Sequence, residues 1–322
     1  MLLSPLMSPE YIEPPLELNV NSENLEAGNT EDLEASFENK YAPMIIHIQK
    51  TNGIEKILKT IAKCVTTKSQ RTVIFSKIDH DWVKSLPFFM ISTTLLQIAV
   101  FAYFWSIYYF QLSFHPYEGM YFYGGCFTSI FTYDPNYPYQ LWRWLTNSLN
   151  HAGYYHISKN MAVQITLGMA QETAFGFKKI APLYLGGVVF SQILKLAFSA
   201  KAGYGCGASG GDYALIFAQV ANLIKNWEDI PYQKVQSVIL AAHVLADPIE
   251  DFFNYLSDGY LIYAHKLHLF AAIYGLLYGF FIIYYKEEGN KWSGTRMLFL
   301  SLYGGVLAIA TCYILIFPAP YP

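Results

Sequence analysis

Gly207-Ala208-Ser209-Gly210-Gly211-Asp212-Tyr213-Ala214-Leu215 opens an apolar helix with a serine set among small residues. The same helix continues through Ala218 and Ala221, and a second small-residue series, Ala271, Gly275 and Gly279, follows later in the chain. Small residues let helix backbones approach closely in lipid, and Gly275-x-x-x-Gly279 is a close-packing signature. The two stretches are therefore expected to pack face to face. That packing brings Ser209 within hydrogen-bond reach of His268, which lies two turns ahead of Gly275. A serine hydroxyl is a weak nucleophile that needs an adjacent base, and His268 is of the right type. Ionisable residues inside a membrane are costly and tend to be functional.

The rest of the chain fits a membrane setting. It is 53% apolar and 14% charged, the composition of a membrane protein. Membrane spans need roughly 20 apolar residues. Seven are expected, at about 88–110, 154–172, 180–200, 209–225, 235–254, 261–284 and 296–317. The fifth is the most polar, with His243, Asp247, Pro248, Glu250 and Asp251; six spans with 235–254 lying at the interface is the alternative. Basic residues orient the spans. Lys178, Lys179, Lys225, Lys234, Lys286, Lys291 and Arg296 fall in loops on one side, and Arg143, Lys201 and Lys266 on the other. This bias puts the N-terminus in the cytosol and the C-terminus outside. Ser209 and His268 then fall at similar depth toward the outer face.

Residues 1–85 are polar, acidic at first and basic later. The start lacks a basic segment followed by an apolar core, and its acids do not suit a mitochondrial presequence. Residues 1–40 read as disordered, and Ile45 to Val65 as a short amphipathic helix on the cytosolic membrane face. Cys126 and Cys206 both fall on the outer side, where a disulfide is permitted; the sequence leaves a bridge and two thiols equally open. Cys64 is cytosolic and Cys312 lies in the last span.

A third segment carries chemistry. It reads Gln140-Leu141-Trp142-Arg143-Trp144, followed by His151-Ala152-Gly153-Tyr154-Tyr155-His156-Ile157-Ser158-Lys159-Asn160. His156 and Asn160 are spaced i, i+4 and share one helix face. Gly207 can make the sharp turn that exposes the Ser209 backbone N–H. Tyr213 lies one turn below Ser209 on the same face.

Together, the His151–Asn160 segment, the Gly-Ala-Ser-Gly turn and the His268 helix resemble the rhomboid family of intramembrane serine proteases over roughly residues 88–285. The resemblance implies an all-α polytopic membrane fold, a six-helix bundle with a seventh, C-terminal span, as in the secretory-pathway branch. It divides the chain into a cytosolic N-terminal region (1–85), a protease core (86–285) and an inner loop with the seventh span (286–322). It implies Ser209 as nucleophile and His268 as general base and acid, with Tyr213 stacked on the histidine in place of a third, carboxylate partner. It further implies an oxyanion hole from His156, Asn160 and the Ser209 N–H, and structural roles for His151 and Gly207. Substrates are then single-span membrane proteins, met in a Golgi, plasma-membrane or other secretory-pathway bilayer. No cofactor, metal or nucleic acid is expected. Asp212 replaces an apolar residue common in the family, and Phe270 and Ala271 stand where small residues are frequent.

Rival readings have their own features. Serine in a span is often plain helix packing, which leaves a catalytically silent protein that binds membrane clients. His265-x-x-His268 could hold zinc, but His-Glu-x-x-His and paired cysteines are missing. A transporter should show internal repeats or paired broken helices, and a seven-span receptor the opposite orientation.

Overall fold

The computed structural model describes residues 53–112, 130–134, 137, 139–198, 205–258, 265–283 and 294–316. All of them belong to one compact unit, Gly53–Pro322. The described residues are almost entirely helical: α1 (Gly53–Cys64), α2 (Lys68–His80), α3 (Phe88–Leu112), α4 (Arg143–Thr146), α5 (Tyr154–Val163), α6 (Met169–Phe175), α7 (Phe177–Ala197), α8 (Ser209–Asn226), α9 (Gln233–Asp258), α10 (His265–Tyr278) and α11 (Gly294–Ile316). The protein is all-α, as the span pattern implies. Helices lie at all seven expected span positions. By length and apolarity alone, three of them among the described residues can cross a membrane: Phe88–Ser106, Phe177–Ala197 and Phe299–Ile316. The others carry the polar residues of the site or break their helix. The expected second span is built from α5 and α6, joined by a π-helical turn, Gln164–Gly168. Such turns often mark functional positions.

Helices α7, α8 and α10 form the centre, with Tyr184, Leu183, Val188, Ala214, Leu215, Ala218 and Tyr274 in one core. Glycines set their spacing. A Cβ on Gly187 would meet the Ala214 Cβ at 2.5 Å, and one on Gly210 would meet Ser191 Oγ at 2.6 Å. On the other side of α8, a Cβ on Gly275 would sit 2.3 Å from the Ala214 carbonyl oxygen, and one on Gly279 would sit 2.8 Å from the Ala221 Cβ and 3.0 Å from the Ala218 Cα. Four residues along α10 and into the π-helical turn that continues it, Gly279–Ile283, therefore match four residues along α8. The two helices run parallel, and His268 and Ser209 lie at the same end of the contact.

Several of the polar groups buried among these helices are paired. Gln164 Nε2 donates to Gln97 Oε1 and to the Tyr184 hydroxyl, and Thr94 Oγ1 donates to Gln164 Oε1. Glu172, buried in α6, accepts the Phe89 and Met90 N–H groups at 3.0 and 2.8 Å. Its carboxylate thus caps the start of α3, whose first donors have no helical acceptor.

The N-terminal region departs from expectation. Residues 53–80, read above as the end of a short amphipathic helix followed by a polar stretch, hold a helical hairpin. Thr67 starts α2 with a capping box completed by Gln70. Leu58 and Ala62 of α1 face Ile74 and Ile78 of α2, and Ala174 of α6 closes the cluster. Burying each of the three large side chains contributes roughly 1.5–3 kcal/mol, which outweighs the polar flanks. Two carbonyls at the turn are held by other helices: Val65 O accepts from Asn222 Nδ2 and Cys64 O from Gln236 Nε2, both at 2.8 Å. Of the amphipathic helix expected over 45–65, Gly53–Cys64 is helical, and positions 45–52 lie outside the described residues. So do the whole of the 286–293 loop and Cys126. Cys206 is disulfide-bonded, while Cys64 and Cys312 are free.

Candidate active site

The site is assembled from five elements around the start of α8. Ser209 is the first residue of α8, so its N–H has no acceptor within the helix. The preceding chain is fixed by the outer segment. Tyr133 and Gly205 exchange N–H···O bonds at 3.0 and 3.2 Å, and the Gly207 N–H donates to Asn147 O at 2.9 Å. Gly207 has φ 123°, a conformation that favours glycine. A side chain there is also blocked, since a Cβ would lie 2.6 Å from His156 Cε1.

Ser209 Oγ lies 3.0 Å from His268 Nε2. The Tyr213 ring stacks on the His268 imidazole, with centroids 4.2 Å apart and planes 8° from parallel. The structure thus brings together three residues that the sequence put on two helices.

It also adds one that sequence reasoning missed. Asp247 of α9 puts Oδ2 3.2 Å from His268 Nδ1. The same oxygen accepts the Tyr213 hydroxyl at 2.8 Å, and Oδ1 accepts from Lys159 Nζ at 2.6 Å. The expectation of a histidine with no carboxylate partner is corrected here. From sequence, Asp247 read as part of the polar outer half of the fifth span. Its only signal was an acid buried one helix away at matching depth, and Asp212 offered a nearer rival. Asp212 is 2% exposed, and its carboxylate oxygens have no hydrogen-bond partner among the described residues; the carboxylate beside His268 is that of Asp247. The reason is helical geometry: Asp212 is rotated by about 100° from Tyr213, onto the α7 side of the helix.

The α5 residues sit beside the serine. The Ala152 N–H donates to His156 Nδ1 at 3.3 Å. A neutral imidazole then carries its proton on Nε2, the nitrogen packed beside Gly207. Asn160 is 5% exposed, and its Nδ2 donor has no hydrogen-bond partner among the described residues. A buried, unused amide donor is costly and fits a group kept for a transient acceptor. His151 is buried, with its ring edge-on to that of His156 at 5.2 Å. Phe270 packs on Phe198, and Ala271 is buried against Tyr213; neither holds α8 and α10 apart. Both nitrogens of His268 face Ser209 and Asp247, which leaves none turned to His265 for a shared metal.

The arrangement offers a hydroxyl against an imidazole, a carboxylate behind that imidazole, and N–H donors around the serine. That is the donor and acceptor set for acyl transfer.

Comparison with known proteins agrees on the family. Residues 138–285 match the Rhomboid domain. The chain is 28% identical to Rhomboid-related protein 1 of Caenorhabditis elegans over 82% of its own length and 74% of that protein. It is 34% identical to Rhomboid-related protein 3 of Homo sapiens over 49% of its length and 39% of that protein. Inactive rhomboid-related protein 2 of Caenorhabditis elegans is 26% identical over 80% of this chain and 71% of its own. Relatives thus include one named inactive and another named a rhomboid-type serine protease. With the Rhomboid domain spanning Ser209 and His268, this chain belongs to the rhomboid family.

Proposed function

We propose that the protein is an intramembrane serine endopeptidase. The observation that carries this reading is the 3.0 Å contact between Ser209 Oγ and His268 Nε2, at the start of a helix set among N–H donors. In this reading, His268 Nε2 takes the Ser209 proton as Oγ attacks a peptide carbonyl. The oxyanion is received by the Ser209 N–H, the His156 Nε2–H and the Asn160 amide. His268 then protonates the leaving amine, and water releases the acyl group by the reverse sequence. The positive end of the α8 dipole adds to the oxyanion site.

Substrates are single-span membrane proteins. A helix hides its carbonyls in internal bonds, so the substrate must unwind locally, and small or helix-breaking residues near its outer end are favoured. Access runs beside α9, which exposes Val238, Ile239, Leu245 and Phe253 and carries Pro248 in its interior. Proline removes one helical hydrogen bond and lets a helix bend. The protein works in a secretory-pathway membrane with its N-terminus in the cytosol.

A second reading is a silent client-binding protein, favoured by the relative named inactive. Cleavage of a tagged single-span reporter in liposomes, by the wild type and by Ser209→Ala, separates the two. Serine-dependent cleavage supports the protease; none across several reporters supports the silent protein.

A further inference from the structure

Asp247 reaches three other elements of the site. It faces His268 on α10 at 3.2 Å, Tyr213 on α8 at 2.8 Å and Lys159 on α5 at 2.6 Å. Lys159 in turn lies 4.6 Å above the Tyr155 ring and is the neighbour of Asn160 in sequence. One carboxylate therefore joins the helices of the nucleophile, the base and the oxyanion donors. It is carried by α9, which bears none of those groups.

Resting on the protease reading, we propose that Asp247 is the positioning carboxylate of His268, making the site a Ser-His-Asp arrangement that is complete only while α9 is seated. The chemistry follows from the contacts. A carboxylate at Nδ1 favours the tautomer with its proton there, and leaves the Nε2 lone pair toward Ser209 Oγ. The same negative charge stabilises the imidazolium that forms when the serine proton moves. The Tyr213 hydroxyl and Lys159 ammonium hold the carboxylate in place from either side. Each interaction is lost when α9 swings outward, so a substrate admitted beside α9 meets a competent base only after the helix closes behind it.

The test is reporter cleavage in liposomes, with kcat and KM separated, and the rate of fluorophosphonate labelling. The variants are Ser209→Ala, Asp247→Asn, Asp247→Glu and the pair Lys159→Gln/Asp247→Asn. An amide at position 247 supports the wrong tautomer, so kcat and the labelling rate should fall by on the order of 10²–10⁴ with KM little changed. Asp247→Glu should recover part of the loss. The double variant leaves no unpaired buried charge, so it keeps the test open if Asp247→Asn does not fold. It should remain as slow as Asp247→Asn. Full recovery in the double variant means Asp247 only anchors Lys159, and overturns the proposal. Wild-type kcat and labelling in Asp247→Asn, with Ser209→Ala dead, overturn it too. Cleavage that survives Ser209→Ala overturns the protease reading itself.

Discussion

Gly275 of α10 rests directly on the backbone of Ala214 of α8, so closely that a Cβ would lie 2.6 Å from the Ala214 Cα. Backbone cannot yield as a flexible side chain can. Gly275→Val should push the helices apart, separating His268 from Ser209. We expect reporter cleavage to drop at least 10²-fold and the melting temperature in detergent to fall, in line with overpacking costs of about 1–3 kcal/mol. Gly304→Ala on α11, where a Cβ meets nothing within 4 Å, should leave both unchanged.

Gly207 combines positive φ with a close approach to His156. Gly207→Ala therefore strains the turn and displaces a proposed oxyanion donor together. Activity should fall by more than 10-fold, with a modest loss of stability of about 1 kcal/mol or more. Comparing kcat with thermal melting checks this, since a purely structural glycine would lower stability and leave kcat per folded molecule intact.

The oxyanion assignment makes a kinetic prediction. His156→Ala and Asn160→Ala should each lower kcat by about 10²–10³ while KM changes little, because the donors act on charge that develops in the transition state. Asn160→Ala also removes an unpartnered buried donor, so it should not destabilise the fold. Equal kcat in wild type and Asn160→Ala would make Asn160 a packing residue.

His151 gives a pH signature. Burial first, and then the unfavourable protonation of a second imidazole next to His156, push its imidazole well below the ordinary range. The unfolded chain binds this proton near pH 6.5, roughly the ordinary histidine value, and the folded chain does not. Below that pH the unfolded state holds more protons, so stability falls as the pH drops. Thermal melts between about pH 8 and 5 should show this loss, and it should be smaller in His151→Asn. An unchanged slope in the variant would mean that other groups set the acid limit.

Much of this site was legible because its parts lie on local patterns. The i, i+4 spacing of His156 and Asn160, the glycine before Ser209 and the Gly275-x-x-x-Gly279 stripe all follow from helical periodicity and close packing. Asp247 was not, because its role depends on how α9 rotates against α10, and no local pattern fixes that rotation. The α1–α2 hairpin was missed for a similar reason. Its own sequence is mostly polar, and its order comes from a short apolar seam closed by Ala174 and from Asn222 and Gln236, far along the chain, which satisfy its turn carbonyls. The spans around the site were blurred by the same polar residues that give it chemistry.

The central claim is that Ser209 is an activated nucleophile. The most direct measurement is mass-spectrometric mapping of the adduct formed when the protein in liposomes meets a fluorophosphonate. The account predicts a single adduct on Ser209, lost in His268→Ala, which leaves the hydroxyl in place but removes its base. No adduct on Ser209 in a folded preparation, or labelling undiminished in His268→Ala, would contradict it.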